Sequence, residues 1–153
     1  MGTQIMGRVV VAAKIENLSD LFKVNEGTLP PEAVRKVEVA DALVDTGATH
    51  LCLPLRFIEQ LGLSPSRKRR LRTAAGPKDV NIYEAVRLNV QGRDCTIEVA
   101  DIADDCPILI GQIPLEILDF VVDPVGQKLI GNPEHGGEQM GEIFTYFPPN
   151  WPN

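Results

Sequence analysis

The sequence predicts an all-β fold with one or two short helices, on three observations. Val- and Ile-rich stretches broken by single polar residues recur along most of the chain, the pattern of half-buried strands. Two such arms, RRLRTA and VNIYEAVRLNV, flank the turn-rich AGPKD and read as a hairpin within residues 67–90. The third observation is an internal similarity: VEVADALVDTG (37–47) and IEVADIADDCPILIG (97–111) share V/I-E-V-A-D and end in an apolar run and a glycine. A Pro-Leu pair, Pro54-Leu55 or Pro114-Leu115, then opens a helix after each. Two copies of strand, apolar run, glycine and helix are what a pseudo-twofold β fold shows, although the spacings differ and chance similarity is the competing account.

The elements follow in order. IMGRVVVAAKIE (5–16) reads as a long, partly exposed strand, followed by a polar loop with Gly27, Pro30 and Pro31. VRKVEVADALVD alternates apolar and polar residues, then turns continuously apolar towards Asp45, as a strand does when it passes from rim to core. LRFIEQLGL reads as a short helix, with Pro54 at its start and Gly62 as its stop. After the hairpin, QGR turns the chain into the strand CTIEVADI; CPILIG is a further short strand and PLEILDF a second helix. A last strand is expected near Gln127–Ile130, so a domain over 1–130 precedes a Gly/Pro-rich, loosely ordered tail over 131–153, with a possible strand at EIFTYF.

Composition bounds the function. A chain of 153 residues, 44% apolar and 24% charged, suits one soluble globular domain. The net charge of −6 argues against broad nucleic-acid binding. Three cysteines (Cys52, Cys95, Cys106), with no CxxC pair, suit a reducing compartment and apolar packing better than a disulfide framework. The beginning of the chain lacks a signal-like apolar run, a myristoylation pattern and any stretch of transmembrane length, so the expectation is a cytoplasmic protein without membrane partners.

The chemistry centres on ALVDTGATH (42–50), where an apolar strand runs into Asp45-Thr46-Gly47. In isolation this is a turn. It also fits the Asp-x-Gly-x-Thr phosphate loop of sugar-kinase and actin-like ATPases. Those proteins need two large lobes and the motif near the chain start, whereas here 44 of only 153 residues precede it. The third account takes in more of the chain. LVDTGAT, a hairpin, then ILIGQ about sixty residues on and a short helix together resemble the retropepsin-like aspartic proteases, roughly over residues 5–130.

That resemblance implies a closed, mostly antiparallel β barrel of retropepsin type and an aspartic endopeptidase needing no cofactor and no metal. Carboxylate-driven peptide hydrolysis needs two acids sharing one proton: one activates water while the other donates to the scissile carbonyl. The chain has a single Asp-Thr-Gly, so the implied enzyme is a homodimer with one Asp45 from each subunit on the twofold axis. Asp45, Thr46 and Gly47 become the catalytic residues, with Thr46 bracing the loops across the dimer and Gly47 allowing close backbone approach. Ala48, Thr49, Ala74, Ala75, Gly76 and Ile110 are the expected flap and subsite residues, and Leu43, Ile108 and Ile110 the expected apolar pocket wall. Ala48 stands where pepsin-like enzymes often carry a hydroxyl, which predicts an activity optimum nearer neutral than pepsin's.

The sequence departs from the retroviral pattern in two places. Thr49 and Gln112 replace the usual acid and arginine pair, both neutral and therefore mutually consistent, and Gly76 is alone at the flap tip. These departures favour the alternative function, a non-catalytic module of the same fold that binds or scaffolds peptides. The basic run Arg67-Lys68-Arg69-Arg70 reads as a solvated strand end, and Asp101, Asp104 and Asp105 as a polar loop. His50 and His135 read as structural or surface residues.

Overall fold

The computed structural model describes residues 8–141 and 149–150. The stretch EIFTYF and the first residues of the 5–16 stretch lie outside them. Nine strands and three α-helices are described: β1 Val10–Asn17, α1 Leu18–Asn25, β2 Lys36–Val44, β3 Leu51–Pro54, α2 Leu55–Leu61, β4 Pro65–Thr73, β5 Gly76–Val90, β6 Arg93–Ile102, β7 Leu109–Ile110, α3 Gln112–Leu118, β8 Phe120–Asp123 and β9 Lys128–Gly131. The mostly-β expectation holds.

Seven strands form one sheet in the order β1-β2-β7-β3-β6-β5-β4, and β8 and β9 form a separate hairpin. The pairings repeat under one exchange of labels. β1 is antiparallel to β2 as β5 is to β6, and β2 is parallel to β7 as β6 is to β3. β1 with β5 and β3 with β7 are antiparallel pairs that map onto themselves. α2 and α3 follow β3 and β7, and each is capped by a residue in the left-handed region, Gly62 and Asp119. The duplicated V/I-E-V-A-D segments therefore lie in corresponding strands, β2 and β6.

The closed barrel needs correction. β1 does bend round to pair with β5, but over only four residues, and the sheet ends in the free edge of β4. Residues 76–81 of β5 pair with β4 alone, because β6 runs out at Ile102 opposite the region of Ile82. The β4–β5 hairpin is consequently an arm projecting beyond the sheet body. Its exposed side chains, Arg67 to Arg70 among them, have no second layer to pack against.

The core lies inside the bent sheet. Ile15, Leu51, Leu53, Ile58, Leu61, Leu88, Ile110 and Leu118 are almost wholly buried, each contributing about 1.5–3 kcal/mol of apolar burial. Three elements were not read from the sequence: α1, β8 and the short strand β3, whose four residues Leu51–Pro54 are all buried. α1 falls in the expected polar loop, where Asn17 caps it by accepting from Asp20 N at 3.0 Å and donates Nδ2 to Leu61 O at 2.8 Å. Buried Asp20 accepts three bonds from Arg35, at 3.0 Å from its backbone N, 2.8 Å from Nε and 2.9 Å from Nη2, which ties the loop back to the start of β2. Before β8, Asp119, at φ +60°, ends α3 and turns the chain into the short hairpin.

Candidate active site

β2 delivers Asp45 just past its last residue, and the chain there is fixed by backbone bonds on two sides, from the β7 segment and from the residue before β1. Leu43 N donates to Ile108 O at 2.8 Å, Val44 N to Val9 O at 2.9 Å and Asp45 N to Ile110 O at 3.0 Å. The next residues form a turn, Ala48 N to Asp45 O at 3.0 Å, and Gly47 N donates to Asp45 Oδ1 at 3.0 Å. An Asx turn of this kind orients the carboxylate at its own backbone. At Gly47 an added Cβ would lie 3.2 Å from Oδ1, so a side chain would crowd the acid.

The second half of the expected pair supports this loop from beneath. Gly111 N donates to His50 O at 3.0 Å, Gln112 N to Ala48 O at 2.7 Å and Ile113 N to Thr49 O at 3.1 Å. An added Cβ at Gly111 would sit 2.4 Å from His50 O and 2.7 Å from Ala48 O. The glycine of ILIG is required by close approach to the Asp45 loop, not by its backbone angles, which are extended. Three backbone bonds thus join the segments that carry the neutral Thr49 and Gln112, and the Gln112 side chain turns to its own helix, donating to Glu116 Oε1 at 3.1 Å.

A groove of about 840 Å³ opens from this loop to the β4–β5 arm. Asp45, Gly47, Ala48 and Thr49 line one end, and Leu71, Arg72, Thr73, Ala74, Lys78 and Val80 line the arm. Of the sequence-predicted residues, the groove therefore gathers Asp45, Gly47, Ala48, Thr49 and Ala74. Thr46 is exposed beside it; Ala75 and Gly76 form the tip of the arm without lining the groove. At the tip, Thr73 Oγ1 accepts from Ala75 N at 3.1 Å and Gly76 takes φ +103°.

The expected pocket wall is corrected. Ile108 and Ile110 are buried in the core beneath the loop, and Leu43 pairs with β1. The apolar walls are instead Leu71, Val80, Ala100 and Ile102. Period-two alternation explains the error: the loop-bound strand presents its backbone to Asp45 and its Ile side chains inward.

Several groove residues are ones that sequence reasoning discounts. Asp101, expected in a loop, lies in β6; its carboxylate accepts from Asn81 N and Nδ2, both at 3.1 Å, and from Tyr83 OH at 3.4 Å. The shared V/I-E-V-A-D was the signal that placed it on a strand. Outside the groove, Asp104 accepts from Arg56 N at 3.2 Å. Cys52 and Cys106 also line the groove, and burial, followed by the fields of Asp45 and Asp101, pushes the Cys52 thiol up to about 11. His50 lines it too; burial first and Arg69 second pull its pKa below the ordinary histidine value, which favours the neutral ring.

Residues 29–124 match the aspartyl protease family, a span that includes the Asp45 loop, the arm, β6, β7 and α3. Among solved structures, the chain is similar to the solution structure of simian foamy virus (mac) protease, at 26% identity over 71% of this chain and 93% of that one, with a TM-score of 0.44. No curated protein matches. With the Asp-Thr-Gly motif at the head of an open groove and the family match spanning well over half its length, this chain belongs to the aspartyl protease family.

Proposed function

We propose that this protein is a homodimeric aspartic endopeptidase in which two Asp45 carboxylates, one per subunit, activate the hydrolytic water. The observation that carries the proposal is the position of Asp45: it lines an open groove while its loop is held by backbone bonds to Ile110 O, from Gly47 N and from Gln112 N. Among the described residues it has no matching acid. The other groove carboxylate, Asp101, is occupied by Asn81 and Tyr83, and Asp104, in the loop after β6, is tied to Arg56. Exposed Thr46 is available to brace a second loop, and Ile113 and Ile117, 40% and 45% exposed on α3, offer apolar surface next to it.

In the proposed mechanism one Asp45 is ionised and removes a proton from water, while its protonated counterpart donates to the scissile carbonyl oxygen. The second proton transfer, to the amine, completes cleavage. Like charges brought within about 3 Å do not both ionise, so the dyad titrates as a unit. The peptide lies extended along the groove under the β4–β5 arm, which acts as the flap and excludes water.

The test pairs wild type with Asp45→Asn on a diverse peptide library, from acid to neutral pH, at concentrations shown by sedimentation to give dimers. Wild-type cleavage that is lost in the variant, and poisoned when excess variant exchanges into wild-type dimers, supports one acid per subunit. A variant that cleaves normally refutes the assignment. Peptide binding without cleavage by either protein favours the non-catalytic module.

A further inference from the structure

The arm carries a charge that peptide hydrolysis itself does not require. β4 contains Arg67, Lys68, Arg69, Arg70 and Arg72, in a chain of net charge −6. Two of these are neutralised locally: Arg67 donates to Glu98 at 2.6 and 2.8 Å, and Arg70 to Asp79 at 3.2 Å. Arg72 and Lys78 are placed differently. Both border the groove, Lys78 from the ladder face of Leu71 and Val80 and Arg72 from the next pair, opposite Pro77, and among the described residues neither is in an ion pair. Lys78 stands opposite Leu71 in the ladder and shares a strand face with Val80, so one cation and an apolar wall border the same space.

We infer that this flap end of the groove is a subsite for an acidic side chain, Asp or Glu, of the bound peptide. The inference rests on reading the groove as a peptide cleft. While the groove is wet, Arg72 and Lys78 are hydrated and need no partner. Once a peptide displaces that water, the cations lose hydration, and only an anion restores a favourable environment. An Asp or Glu side chain does so, whereas a neutral or basic one leaves the cations stranded, so selection works through both attraction and penalty. The carboxylates already present do not serve, because Asp101 is held by Asn81 and Tyr83, and Asp45 is the proposed catalytic acid. A nucleic-acid strand is the less suited anion, since among the described residues no Phe, Tyr or Trp lines the groove to stack on a base.

The experiment compares cleavage of paired peptides that differ only in Glu, Gln or Lys at positions flanking the scissile bond. For wild type the Glu peptide has the higher kcat/KM, by roughly fivefold for each cation engaged, which corresponds to about 1 kcal/mol at tenfold per 1.4 kcal/mol. Arg72→Ala and Lys78→Ala each lower the Glu-to-Gln ratio, and Lys78→Glu shifts preference towards the Lys peptide. The ratio is internal to each protein, so a partly misfolded variant still reports it. Equal cleavage of Glu and Gln peptides at every flanking position, or an acid preference that survives in Lys78→Glu, overturns the subsite while leaving the peptidase intact. If no peptide is cleaved, the peptidase reading fails by itself. The subsite is then read from fluorescent-peptide binding to Asp45→Asn, where tighter binding of the Glu peptide upholds it. Equal affinities overturn it, as does tighter binding of a single-stranded oligonucleotide of the same charge.

Discussion

Gly111→Ala is the substitution that most directly separates loop support from chemistry. Gly111 has φ −84° and ψ −175°, angles that alanine adopts without strain, so the effect is purely one of space. The new methyl would start 2.4 Å from His50 O and 2.7 Å from Ala48 O, both backbone atoms of the Asp45 loop. Ordinary carbon–oxygen contact begins near 3.3 Å, so loop and strand must part by about 0.9 Å. Overpacking of this kind costs about 1–3 kcal/mol, partly offset by about 0.4–1 kcal/mol from the stiffer unfolded chain. The expected net loss is about 1–2 kcal/mol in urea unfolding. Activity should fall further than stability, because a shift near 1 Å in a catalytic group costs about a hundredfold in rate. The assays are the unfolding midpoint and kcat/KM on the best library peptide, at a temperature where the variant stays folded. A variant with wild-type midpoint and wild-type cleavage refutes the claim that Gly111 holds the Asp45 loop in register.

Asp20→Asn should remove about 2 kcal/mol of stability at neutral pH, after allowance for screening at the half-exposed Arg35 guanidinium. Arg35 holds the Asp20 carboxyl down to about 2 in the fold, so the contribution is present above the unfolded carboxylate range and lost as pH falls through about 2; the variant's acid limb should lack this slope in pH-dependent unfolding. Cys52 is buried with its thiol pushed up to about 11, so a maleimide near neutral pH should label half-buried Cys106 first and Cys52 only on unfolding, as read by peptide mapping. Asp119 accepts from Met140 N at 3.1 Å and contacts His135 Nδ1 at 2.6 Å, and these contacts hold its carboxyl below the ordinary range. Asp119→Asn should therefore speed hydrogen exchange over residues 132–141, and acid should lower the protection there relative to the intrinsic rate at each pH, since this contribution is lost as pH falls below the carboxylate range. Unchanged exchange in the variant would show that the segment is held by other contacts.

Much of the architecture was written locally. The Val/Ile alternation of β2 and β6, the Gln91-Gly92 turn at φ +49° and +81°, and the Gly62 stop at φ +67° depend on nearest neighbours, and each was legible in the chain. The internal similarity also carried through, because two stretches with one pattern fold into corresponding strands. α1 was hidden because its cap and its anchor are long-range: Asn17 reaches Leu61 O, and Asp20 waits for Arg35. β4 read as a solvated strand correctly, but its part in a groove depends on which strand the arm leans over, and no local pattern encodes that.

By itself the sequence determined most of the strands, the Asp45-Thr46-Gly47 loop, its glycine-bearing counterpart at Gly111 and the family to which they point. These features rest on short-range periodicity and on residue types that few other chemistries need in that order. Only the tertiary structure decided that Ile108 and Ile110 are core and not pocket, that Asp101 is an occupied acceptor, and that Arg72 and Lys78 border the same groove as Asp45. The reason is physical: a groove is made of surfaces distant in sequence, and which side of a strand faces it is set by register with partners that the strand alone does not name.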